Sequence, residues 1–89
     1  MIDYGRLANA DAHETSQATI AVANGLQDYD KEVQLLAAAA FFLLLCEGHR
    51  VPAQEVFTYT KNMMNAEKYA AAPQFNAANQ YIQQEIING

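Results

Sequence analysis

Cys46 and His49 stand two residues apart, a spacing that occurs in zinc sites, and His13 with Glu14 could complete a set of four donors. The pattern stops short of a site. Structural zinc sites carry paired Cys or His motifs, whereas each donor here has a local explanation. Cys46 ends an apolar run, and His49 follows a helical pattern at the end where a cation suits the helix dipole. A nucleophilic Cys46 would need an electropositive, partly exposed setting, but Glu47 adjoins it and the preceding residues are apolar. Asp28-Tyr29-Asp30-Lys31-Glu32 opens like a calcium loop, yet Val33 and Ala39 occupy the positions where that loop requires glycine and glutamate. These residues point to no catalytic group, no metal and no cofactor.

Two binding chemistries remain. Leu43 to Met64 fits a helix-turn-helix pattern, with Gly48 in the turn and Pro52 opening a second helix that offers Gln54, Lys61, Asn62, Asn65 and Lys68. Glu55 and Glu67 offset its lysines. The other chemistry is protein contact. Tyr59, Tyr69 and Tyr81 lie near helix ends or at the margins of apolar faces, where tyrosine serves as an interface anchor. Gln80 and Gln84 belong to a tail in which Glu85 is the only charge from Ala72 to Gly89, a surface suited to hydrogen bonding with a partner. Tyr69, Tyr81, Gln80, Gln84 and Tyr59 are the candidate partner-binding residues.

The elements that position these side chains read as helices, since no short apolar run alternates as a half-buried strand does. The fold class is all-α, a compact bundle of about four helices over residues 1–89, at about 11–24, 31–47, 52–70 and 73–87. Asp11 caps the first helix, Gly25 closes it as a C′ glycine, and Thr15, Ala18, Thr19, Val22 and Leu26 form its buried stripe. Asp28 or Asp30 caps the second, and Gly48 ends it. Pro52 takes the first position of the third helix, whose broad apolar side includes Val56, Tyr59, Met63, Ala66 and Ala70. Pro73 interrupts the chain before a fourth helix with the stripe Phe75, Ala78, Ile82 and Ile86. The second helix dominates, because Val33 to Cys46 is apolar on every side and must be hidden, either at the centre of the bundle or against another subunit. The central place is expected for it, with thin cover beside the small-residue stripe of the first helix.

Charge narrows the partners. Ten acidic residues against five basic ones give a net charge of −5, which opposes attraction to nucleic acid and anionic lipid and favours a protein partner with a basic surface. A single cysteine excludes an intramolecular disulfide, and the N-terminal residues lack the pattern of a secretory signal, so a cytoplasmic setting and no membrane association are expected. The expected function is noncatalytic protein binding or regulation, of the kind a phage or bacterial accessory protein exerts when it modulates or inhibits a partner. A homodimer would complete the cover of the second helix. Alternatives are a helix-turn-helix DNA-binding regulator and a self-assembling structural protein.

Overall fold

The computed structural model describes residues 2–65 and 71–88. Among them the fold is all-α, with five helices: α1 (Tyr4–Ala8), α2 (Ala12–Leu26), α3 (Lys31–Gly48), α4 (Ala53–Met64) and α5 (Ala71–Tyr81), the last running into a π-helical turn at Ile82–Ile87. Helix α1 is additional to the four expected. Its five residues are too few to show a period, but Asp3 caps it, accepting from the Arg6 N–H at 3.2 Å.

Asp11 caps α2 as expected, accepting from the His13 N–H at 2.9 Å. The far end differs. Gly25 lies inside the helix, and the chain leaves through a right-handed Gln27 whose N–H donates to the Asn24 carbonyl. The tight turn that follows makes a left-handed glycine unnecessary, since the Tyr29 N–H donates to the Leu26 carbonyl at 3.1 Å.

Helix α3 ends at Gly48, but that glycine is not what closes it. Arg50, at φ 58°, is the residue in the left-handed conformation. Its N–H donates to the Glu47 carbonyl at 3.1 Å, and the Val51 N–H donates to the Cys46 carbonyl at 2.9 Å. These are the paired bonds of a Schellman motif, completed by buried Val51 beside buried Cys46. Gly48 keeps helical geometry, so the left-handed residue falls two positions after the glycine that the sequence suggested. Pro52, fixed near φ −63°, then serves as N-cap of α4 rather than as its first residue, and α4 leaves α3 at 117°. Helix α4 ends at Met64 with Asn65 capping, and the remainder of the expected 52–70 helix lies outside the described residues. Pro73 lies within α5, which is described from Ala71, and does not break it.

The tightest packing joins α2 to α5. Phe75 and Ala78 are buried, and Ile82 and Ile86 half-buried, as the stripe predicts. They meet a face of α2 rotated from the expected one: Ser16 and Ala23 are buried, Thr15, Thr19 and Leu26 of the expected stripe are half-buried, and Ala18 and Val22 are exposed. Ser16 can enter this core because its hydroxyl donates to the His13 carbonyl at 2.8 Å, which leaves only a small side chain to pack. Tyr81 donates from its hydroxyl to Asn24 Oδ1 at 3.1 Å, and Gln27 donates to the Glu85 carboxylate at 3.0 Å, extending this contact past the end of α5.

The expectation that α3 sits buried at the centre fails within the single chain. Only Gln34 and Cys46 of α3 are buried. Gln34 anchors its start by donating to the Leu26 carbonyl at 2.9 Å. The 117° turn leads α4 away from α3, and α5 spends its stripe on α2, so the two broad apolar faces that should cover α3 do not enclose it. The result is a flattened bundle with extents of 37 × 31 × 17 Å.

Candidate functional site

The side chains of α3 divide by position. Gln34, Phe42 and Cys46 turn towards the rest of the chain, whereas Val33, Leu36, Ala40, Leu43 and Leu44 are exposed. Val33, Leu36, Ala40 and Leu43 advance by three and four residues alternately, the spacing that keeps one face of a helix towards a partner helix, and Leu44 borders them. Leu35, Leu36 and Leu44 expose 74%, 72% and 65% of their surface, and Phe41 and Leu45 extend the apolar area round the helix. No ionisable group other than the buried Cys46 thiol lies between Val33 and Cys46, so this face is neutral in a chain of net charge −5.

Alongside the start of α3, Gln34, Leu35 and Ala38 line a groove of about 490 Å³ with Ile82, Ile86 and Ile87, joined by Lys31 and Glu32. The π-helical turn shapes its far wall: its wider winding, seen in the Asn88 N–H donating to the Gln83 carbonyl at 2.9 Å, carries Ile86 and Ile87 to the groove. Ile87 remains exposed. The groove therefore continues the apolar surface of α3 rather than forming a separate polar cavity.

The residues singled out for partner contact are scattered. Tyr59 lines a shallow depression with Gln54, Glu55 and Thr58 on α4, while Tyr81 is half-buried and bonded to α2. Gln80 and Gln84 are exposed, and Tyr69 lies outside the described residues. Near Tyr59, Tyr4 adjoins Glu55. Desolvation raises the Tyr4 phenol above its ordinary pKa of 10.0, and the adjacent Glu55 charge and Tyr59 push it the same way.

Metal-ligand chemistry finds no geometry: no group of three or more His, Cys, Asp or Glu side chains gathers among the described residues, and Cys46 is a buried free thiol. The candidate recognition helix keeps its amides exposed, but Lys61 lies 5.9 Å from the centre of the Phe57 ring on its own helix. No single helix among the described residues is long and apolar enough to cross a membrane; α3 and α4 pass by length and composition only when taken together across their bend.

Comparison with protein-family models, with curated proteins and with solved structures finds no match. The functional reading accordingly rests on the residues of this chain.

Proposed function

We propose that this chain is a noncatalytic protein-binding protein whose contact surface is the exposed apolar face of α3. The observation that supports the reading is the exposure of Leu36, Leu43 and Leu44 on one face of a helix apolar all round. Isolated exposed leucines are ordinary, but a continuous patch of this kind marks a place where another surface docks. A neutral, apolar centre fits a partner that is itself apolar at the contact. A regulatory or inhibitory role suits such a surface, since occupying a partner requires no reacting group.

The test is a paired capture from host lysate, with the wild type and a Leu36→Glu/Leu43→Glu variant as baits and recovered copies of the chain itself scored as partners. Proteins held by the wild type and lost from the variant are expected. Equal recovery by both baits overturns the reading.

A DNA-binding reading draws support from one observation, the 117° angle between α3 and α4 across a four-residue connection, which falls in the helix-turn-helix range. It is the second choice, because the net charge of −5 works against phosphate contact.

A further inference from the structure

We propose that the partner of α3 is a second copy of this chain, the two α3 helices pairing antiparallel across a two-fold axis. The inference rests on the protein-binding reading and names its partner.

Area carries the first step. The chain exposes 6813 Å², whereas a folded monomer of 9.8 kDa exposes about 5,200 Å², so roughly 1,600 Å² is in excess. A standard interface removes about 800 Å² from each partner. Val33, Leu36, Leu43 and Leu44 share one face of α3 and are 46%, 72%, 55% and 65% exposed, so part of the surplus lies on a single helix face. The surplus exceeds the area that a stable dimer removes from each partner.

The pattern on α3 carries the second step. A two-fold requires the same patch on both copies to fit itself. The stripe Val33, Leu36, Ala40, Leu43 does so when the helices run antiparallel: Val33 faces the second copy's Leu43, and Leu36 faces the second copy's Ala40, each layer occurring twice. Large meets small at the centre, which permits close approach. A parallel pair would set Ala40 on Ala40 and Glu47 on Glu47, leaving a thin layer and two like charges in contact. Because the stripe is free of charge, the overall acidity of the chain is kept off the contact.

Multi-angle light scattering of the full chain across about 1 to 100 µM tests the proposal, since mass action shifts a weak dimer within that range. A mass twice the 9.8 kDa of the chain is expected, falling to the monomer value for Leu36→Glu/Leu43→Glu with helical circular dichroism retained. To read the geometry, Leu36→Cys and Ala40→Cys chains, both also carrying Cys46→Ala, are mixed in equal amounts and oxidised. The mixed disulfide should exceed either self-disulfide by well over the twofold ratio that random pairing gives. A monomer throughout, a dimer that survives both glutamates, or a mixed product at or below twice either self-disulfide overturns the proposal. If the wild type is monomeric yet captures a different protein through α3, the second copy is refuted while the protein-binding reading stands. If it is monomeric and floats with phosphatidylcholine vesicles without capturing protein, both fall.

Discussion

Replacing Arg50 with glycine should leave the protein about as stable as it is, whereas alanine should weaken it. Arg50 holds φ 58° at the end of α3, and the left-handed conformation costs a residue with a side chain about 1–2 kcal/mol. Glycine avoids that strain but loses about 0.5–1 kcal/mol more backbone entropy on folding. The Arg50 cation also contributes about 0.3–1 kcal/mol next to the carbonyl end of α3. Arg50→Ala separates these contributions, because alanine keeps the strain and loses the charge. Glycine should therefore exceed alanine by about 1 kcal/mol, with the wild type close to glycine. For a domain of 89 residues about 1 kcal/mol moves the melting temperature by about 4–8 °C. Thermal melts followed by circular dichroism, at one fixed protein concentration so that association does not enter the comparison, give the order directly. If Arg50→Gly melts at or below Arg50→Ala, the left-handed turn is not what closes α3.

The interior position of Gly25 in α2, with open space where a Cβ would stand, implies that Gly25→Ala stabilises by about 0.5–1 kcal/mol; a destabilised variant in urea unfolding would restore the C′ role that the sequence suggested. Phe75→Ala should cost about 3–5 kcal/mol, since Phe75 is buried in the α2–α5 contact, and a loss below about 1 kcal/mol would place the core elsewhere. The raised phenol of Tyr4 makes its contribution to stability full below pH 10.0 and lost as pH rises through the higher folded value; phenolate absorbance should show one late-titrating tyrosine that disappears in Tyr4→Phe. An electrophoretic assay at low salt should show no shift of duplex DNA, and a shift abolished by Lys61→Ala would favour the helix-turn-helix reading over the apolar contact.

Local signals were legible where a residue acts within its own helix. The Asp11 cap and the stripe Phe75, Ala78, Ile82, Ile86 depend on short-range periodicity, and the structure carries both. The residues that close α2 and α3 were misread because glycine is only the usual way to end a helix: Gln27 leaves α2 in a right-handed turn, and Arg50 accepts the strain of the left-handed one. The buried face of α2 was misread for a related reason. Threonine and valine look more apolar than serine, but Ser16 satisfies its hydroxyl within the helix and offers α5 a closer approach.

The case of α3 differs in kind, because its sequence states a demand and says nothing about supply. All-round apolarity requires cover, yet cover comes from helices whose directions are set elsewhere: by a Schellman turn at Arg50 that sends α4 off at 117°, and by small residues on α2 that draw α5 to themselves. Neither is visible in the composition of Val33 to Cys46. The same reasoning explains why Tyr59, Tyr81, Gln80 and Gln84 read as contact residues from sequence and Leu36 and Leu44 do not. Polar and aromatic side chains at helix margins look like contact residues, while leucines in an apolar run look like core. The distinction lies in whether the chain has enough surface to bury them, and an excess of roughly 1,600 Å² over a monomer of this mass says that it does not. A sequence that satisfies every helix locally leaves its most apolar helix uncovered, and that uncovered face is what the proposed pairing of α3 would close.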